Sequence, residues 1–256
     1  MNCMRFSVPL RYVLQCTHDR ITARNMIMAT EVESVLTRAI RGLGTDLSMK
    51  TGLFDRSLFS LYRYMFSPNQ LIFLTQCLSA TRDAAGCFVE IGCAQGRTTA
   101  FLRKYMDENG IAKDYYAIDT FGGFVPEHVE YEVSRRSKDS VISQIFADNK
   151  RAWFDHALRI SGVDAVQSVE CDATTFDFDR IGPIAFALLD VDLYLPIKDI
   201  LPKLYRNLSP GGIIVVDDCM PHELWDGALA AYEEFAAQTG IEPDIRHEKL
   251  GIIRRP

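Results

Sequence analysis

Two apolar runs that each end in a pair of aspartates leave few folds open to this chain. Ile184-Ala185-Phe186-Ala187-Leu188-Leu189 runs into Asp190-Val191-Asp192, and Ile213-Ile214-Val215-Val216 runs into Asp217-Asp218. Short continuous apolar runs read as strands buried on both faces. Between them, Pro196 to Asn207 has a helical pattern. A strand, a helix and a strand in that interval make a crossover unit, whose strands are parallel. If the strands are neighbours, their C-terminal ends share one edge of the sheet. Four carboxylates then meet in a small volume, and like charges that close cannot all ionise without a counterion. A hard divalent cation bound by oxygen ligands resolves the conflict. The pattern predicts a metal site at the ligand-binding edge of an α/β sheet.

The same alternation runs from residue 84 to the end. Strand patterns lie at Cys87–Ile91, Tyr115–Asp119, Gln167–Glu170, Ala185–Asp190, Ile213–Asp217, Asp244–Glu248 and Ile252–Arg254. Helical patterns lie between them at about 97–108, 137–161, 196–207 and 222–239. This order predicts a doubly wound, mostly parallel seven-stranded sheet covered on both faces. Only Lys249, Leu250 and Gly251 separate the last two strands, so they pair as an antiparallel hairpin. Upstream, Ala29–Ile40, Ser57–Phe66 and about Pro68–Ala80 carry apolar residues at helical spacing. The expected division is a helical segment over 1–83 and a ligand-binding domain over 84–256. The helical segment is expected to pack near the open edge of the sheet and help cover a substrate. A helical arm of this kind often packs on a partner subunit, so a homo-oligomer stays open.

Composition narrows the partners. Of 256 residues, 48% are hydrophobic and 24% charged, a globular balance. The net charge of −6 argues against nucleic acid or an anionic membrane as the main partner. No apolar run reaches the roughly 20 residues of a spanning helix. Arg5, Arg11, Asp19 and Arg24 interrupt the N-terminus, so no signal peptide is expected and the location is read as cytoplasmic. Seven cysteines without a CxxC pair are expected to be buried free thiols.

The first strand, Phe88-Val89-Glu90-Ile91, leads into Gly92-Cys93-Ala94-Gln95-Gly96 and then a helix. Its glycines allow a tight turn beside a ligand, although the spacing is GxxxG rather than GxGxxG, and a purely structural turn stays open. The second strand ends in Asp119, at a distance that suits ribose hydroxyls. The third ends in Glu170-Cys171-Asp172-Ala173, where an acid can meet an adenine amino group. Each acid alone is an ordinary solvated strand end. The succession of acids at successive strand ends is what points to a nucleoside-type ligand.

These residues resemble a class I S-adenosylmethionine-dependent methyltransferase, a Rossmann-like fold. Phe88–Gly96 resembles its first motif, Ile118-Asp119 its ribose acid and Cys171-Asp172-Ala173 its adenine region. Leu189-Asp190-Val191-Asp192-Leu193-Tyr194 and Leu208-Ser209-Pro210-Gly211-Gly212-Ile213-Ile214-Val215-Val216-Asp217-Asp218 resemble, more narrowly, the macrocin O-methyltransferase family. Those enzymes methylate sugar hydroxyls on antibiotics. The resemblance covers about Gly86 to the C-terminus, and Val191 stands where the family pattern has glycine. It implies S-adenosylmethionine bound by Glu90, Gly92, Gly96, Asp119 and Asp172. It also implies Mg²⁺ on Asp190, Asp217 and Asp218, and Asp192 as general base.

The chemistry matches the residue types. A hydroxyl is a poor nucleophile until its proton is removed; a cation lowers its pKa and a carboxylate takes the proton. The expected function is a Mg-dependent O-methyltransferase acting on a sugar or phenolic hydroxyl of a small-molecule natural product, in antibiotic or related biosynthesis. Two alternatives stay open: the same fold acting on carbon or nitrogen, and a non-catalytic nucleoside-binding protein. Around the main motifs, Phe121-Gly122-Gly123-Phe124 reads as a closing loop or a flexible turn. His128 reads as a surface histidine, and Glu130 to Asp139 as a solvated charged segment. His222 and Trp225 are candidates for the acceptor pocket, with helix packing the plainer reading for Trp225.

Overall fold

The computed structural model describes Thr51 and residues 64–256. The helical stretches expected at Ala29–Ile40 and over most of Ser57–Phe66 lie outside the described residues. From Tyr64 onward the chain builds a sheet of seven strands: β1 (Cys87–Ile91), β2 (Tyr115–Asp119), β3 (Gln167–Glu170), β4 (Ile184–Leu189), β5 (Leu208–Val216), β6 (Asp244–Arg246) and β7 (Leu250–Arg254). The spatial order is β3-β2-β1-β4-β5-β7-β6. The first five strands are parallel, and β7 pairs antiparallel with both β5 and β6. This is the expected doubly wound sheet with a C-terminal hairpin. Six helices accompany it among the described residues: α1 (Pro68–Ala80), α2 (Arg97–Glu108), α3 (Pro126–Arg136), α4 (Arg151–Ile160), α5 (Tyr194–Asn207) and α6 (Gly227–Thr239).

Strand alternation divides the core in two. Val89, Ile91, Ala187, Leu189, Ile214 and Val216 pack with Ile197, Leu201 and Leu204 of α5 and Ala228 and Tyr232 of α6. Phe88, Tyr115, Phe186, Leu188, Ile213 and Val215 pack instead with Leu71, Leu74 and Leu78 of α1 and Leu102 and Met106 of α2. Both faces of β4 and β5 are therefore apolar, which is why those strands read as unbroken hydrophobic runs. Helix α1 is part of this core. It opens with a reciprocal cap, Ser67 accepting from the Gln70 N–H and Gln70 from the Ser67 N–H.

The single helix expected over 137–161 is not formed. Over those residues the chain makes a 3₁₀ turn at Ser140–Gln144 and α4, and α3 forms ahead of them where no helix was expected. Pro126 sits in the first turn of α3, Glu127 carries a negative charge there, and Arg135 and Arg136 lie in the last turn. This arrangement complements the helix dipole. Ser137, at φ 59°, then ends the helix. The supposedly solvated charged segment is thus mostly helix, and its Glu132 is 1% exposed.

Leu74 is fully buried in α1. Leu74→Ala should lower global stability by about 2–5 kcal/mol, the usual cost of a large-to-small core change. Urea unfolding followed by circular dichroism measures it. A loss below about 1 kcal/mol would show that α1 is an appendage rather than core.

Candidate active site

Strand pairing brings the aspartates together. Leu189 of β4 is in register with Val216 of β5, so Asp190 and Asp217 are the next residues on neighbouring strands. The ladder continues through them: the Asp190 N–H donates to Ile91 at 2.8 Å and the Asp217 N–H to Leu189 at 2.9 Å. Both chains then turn through one left-handed residue, Asp192 at φ 58° and Asp218 at φ 56°. The valine that replaces the family's glycine stays out of that region. The positive φ falls on Asp192, a residue type that tolerates it better than a β-branched one. Next, α5 begins at Tyr194, whose N–H donates to Glu132 Oε1 at 2.6 Å. This buried carboxylate from α3 satisfies a free N–H at the start of α5. Glu132 also accepts from Arg136, which reaches Asp226 ahead of α6 at 2.8 Å.

The hairpin adds a residue that sequence reasoning passed over. β7 runs antiparallel to β5 with Gly251 opposite Val216, so the chain before β7 lies beside the chain after β5. The Lys249 Nζ donates to Asp217 Oδ2 at 2.7 Å and to Asp218 Oδ1 at 2.8 Å. Asp217 and Asp218 are buried, and Asp217 Oδ1 has no hydrogen-bond partner. Desolvation, and then the neighbouring carboxylates, raise Asp190 and Asp192 well above the usual carboxylate range, with Lys249 opposing. Desolvation and Asp218 push Asp217 up to about 6, again against Lys249. Hard oxygen donors and an orphaned buried carboxylate oxygen suit a divalent cation chemically. Among the described residues, however, no three His, Cys, Asp or Glu side chains are arranged to grip one. The cluster is arranged around an ammonium.

Glu90 is 1% exposed in the middle of the sheet. Burial pushes its carboxyl up to about 7, and the Tyr115 hydroxyl, donating at 2.7 Å, works against that rise. Gly92 has φ 86°, and a Cβ there would lie 1.7 Å from the Asp190 carbonyl oxygen. Only glycine lets the β1 loop pass the β4 loop so closely. Gly96, at φ 74°, caps α2 against the Phe154 ring. Asp119 Oδ2 accepts from the N–H groups of Cys93 at 2.7 Å and Ala94 at 2.8 Å, and Oδ1 from Phe121 at 2.6 Å. A carboxylate has about four acceptor positions. Asp119 therefore shapes the glycine loop and keeps limited capacity for a ligand hydroxyl. Asp172 accepts from the Thr174 N–H at 2.9 Å, with its other oxygen uncommitted among the described contacts.

One cavity of about 320 Å³ is lined by Glu90, Gly92, Asp119 and Asp172 and also by Asp190, Asp192, Asp217 and Asp218. Lys249, Phe66, Phe124 and His128 line it too. Gly96 does not, and its part is to turn the chain into α2. The histidine read as a surface residue thus stands on α3 facing the cavity. His222 is exposed, accepts from the N–H groups of Leu224 and Trp225, and does not line the cavity. Trp225 packs on Phe124, ring centres 5.9 Å apart. Phe121 is buried against Phe154. Burial raises the thiols of Cys93 and Cys219 above their ordinary range, so neither is a thiolate. The described cysteines are all free. Sequence reasoning missed Lys249 and Glu132. For Lys249 a signal existed, because a hairpin paired with β5 must bring its turn beside Asp218.

The profile of a family described as macrocin-O-methyltransferase (TylF) matches residues 60–252. The solved structure of the O-methyltransferase NovP superposes with a TM-score of 0.65 at 20% identity, over 75% of this chain and 81% of that one. CalS11, a calicheamicin methyltransferase, superposes at 0.57 and 19% identity, over 87% of this chain and 93% of that one. These likenesses show the fold. No curated protein sequence matches the chain closely enough to count as a relative. No helix among the described residues is long and apolar enough to cross a membrane.

Glu90 gives the ligand-free protein a pH dependence. Its folded pKa, about 7, lies above the ordinary 4.5. The folded state therefore holds the proton more tightly than the unfolded state. Stability from this group is fully present below about pH 4.5 and is lost as pH rises through 7. Glu90→Gln should remove about 3 kcal/mol of the decline between those limits. Urea unfolding of both proteins across that range gives the comparison, and equal slopes would count against the buried acid.

Proposed function

The chain belongs to the macrocin-O-methyltransferase family, and from that premise we propose that it methylates a hydroxyl oxygen of a small-molecule natural product, a sugar or a phenol. S-adenosylmethionine is the methyl donor that membership implies. The observation that carries the reading is the single cavity shared by the acids at the ends of β1 to β3 and those at the ends of β4 and β5. A donor site and a proton-accepting site side by side in one cavity are what methyl transfer to oxygen needs.

The reaction forms an O–C bond, breaks a C–S bond and releases the hydroxyl proton. S-adenosylmethionine, when bound, supplies an electrophilic methyl group. Asp119 offers acceptor capacity to ribose hydroxyls, Asp172 to the adenine amino group and Glu90 to the amino end of the donor. Gly92 lets the β1 loop lie close against the loop after β4, so the residues that would hold the donor border those that would hold the acceptor. In-line alignment is then the main contribution of the protein. Asp192 takes the proton. Burial and the neighbouring Asp218 raise its carboxyl, the direction that suits a base working near neutral pH. Asp190, Asp217 and Asp218 are the residues that would hold Mg²⁺. When bound, the cation would lower the pKa of the acceptor hydroxyl. Phe66 and Phe124 give the cavity an apolar part of its wall.

Calorimetry with S-adenosylmethionine should give micromolar affinity, about −8 kcal/mol. Asp119→Ala should weaken it by roughly 1.5–3 kcal/mol, the worth of hydrogen bonds to a charged group. Absence of binding to the wild-type chain would end the methyl-donor assignment.

Two further substitutions separate the aspartates' roles. Asp217→Asn should lose Mg²⁺ binding and methylation of an accepted substrate together. Asp192→Asn should keep metal and donor binding and lose turnover by roughly 10²–10⁴-fold. Product is followed by mass spectrometry. Unchanged turnover in EDTA would remove the metal, and an active Asp192→Asn protein would remove the base.

A further inference from the structure

Lys249 reaches the aspartates through backbone geometry. The Cys219 N–H donates to the Lys249 carbonyl at 2.8 Å, which holds the backbone of the lysine beside the turn that follows β5. Ahead of it, His247 at φ 49° and Glu248 at φ 75° form a tight left-handed turn. Gln70 Nε2 of α1 donates to the His247 carbonyl at 2.9 Å, and Phe73 packs on the His247 ring. The base of the side chain is therefore fixed from three sides. Its ammonium lies between Asp217 Oδ2 and Asp218 Oδ1, over the face of the Phe66 ring at 5.1 Å from its centre.

One ammonium faces four carboxyl groups here. It carries a single charge and offers donors only, so it satisfies one oxygen of each of two aspartates and leaves Asp217 Oδ1 buried without a partner. A divalent cation that draws on Asp217 and Asp218 either takes the oxygens that the lysine now holds or, through Asp217 Oδ1, sits on the same carboxylate beside the ammonium. In either place it opposes the ammonium, because like charges at contact distance repel strongly in a medium poorer in water than bulk solvent. The flexible four-carbon stem allows the head to leave while the backbone stays. The cavity that Lys249 lines gives it somewhere to go.

We propose that Lys249 is a tethered counterion of the aspartate cluster, which a divalent cation must displace from Asp217 and Asp218 in order to bind. The proposal rests on the reading of these aspartates as a cation site. It adds a competitor built into the chain. In the metal-free protein the lysine offsets the charge of Asp217 and Asp218. Metal affinity is weaker than the carboxylates alone would give, and metal entry releases a positive side chain into the substrate cavity.

Titration calorimetry with MgCl₂ tests this on the full chain, with Lys249→Met and Lys249→Gln as uncharged variants and Lys249→Arg as the charged control. Both uncharged variants should bind Mg²⁺ at least about tenfold tighter than wild type, since the competing charge is gone. The arginine variant should show no gain. Mg²⁺ binding by wild type with equal or weaker binding by both uncharged variants overturns the lysine's role and leaves the cation site standing. No Mg²⁺ binding by any of the four proteins overturns both. A second measurement needs no variant. The wild-type chain is treated with acetic anhydride, and acetylation of Lys249 is followed by mass spectrometry. Saturating Mg²⁺ should raise the labelling rate of Lys249 about fivefold as its ammonium leaves the ion pairs. An unchanged rate in metal-binding protein rules out displacement.

Discussion

The parallel, in-register pairing of β4 with β5 is the constraint on which the rest of this structure depends. Once Leu189 stands beside Val216, the next residues of both chains meet at the same sheet edge. Those residues and their neighbours are carboxylic acids, and their electrostatic cost has to be met locally. Raised protonation meets part of it at Asp190, Asp192 and Asp217. The Lys249 ammonium meets another part. Removing one partner from such a buried group leaves an uncompensated charge, so the hairpin and the site are tied together energetically.

Other acids do a different job. Asp119 uses its oxygens on backbone N–H groups, and Glu132 divides its own between the Tyr194 N–H and the Arg136 side chain. Asp119 shapes the glycine loop after β1. Glu132 holds the first turn of α5, and through Arg136 it reaches Asp226 ahead of α6. The loop bearing Asp190 and Asp192 is thus clamped at its far end by a buried carboxylate from a distant helix. The backbone of that loop is therefore held by packing and hydrogen bonds in the ligand-free chain.

The strands were legible because each is a short apolar run with a sharp end. The expected and observed limits of β1, β2 and β3 agree, and those of β4 to β7 differ by a few residues at one or both ends. The region from Pro126 to Ile160 was not legible. Its α3 has mostly polar faces, and the burial of Glu132 follows from packing against α5 and α6, which no local pattern records. The placement of α1 was only half visible. Its helical spacing was plain, while its share in the core beneath β4 and β5 depends on the second apolar face of the sheet.

By itself, the sequence determined the α/β class, the parallel crossover and the acids at successive strand ends. These rest on local periodicity and on residue types at the ends of runs, information carried within a few neighbouring positions. Only the tertiary structure decided which charge answers those acids. Lys249 is about thirty residues along the chain from Asp217 and Asp218, and its contact with them exists only through the antiparallel register of β5 and β7. The same holds for Glu132 beneath Tyr194. A charge in sequence has no partner until folding sets the distance, and Coulomb energy depends on that distance and on the water excluded around it.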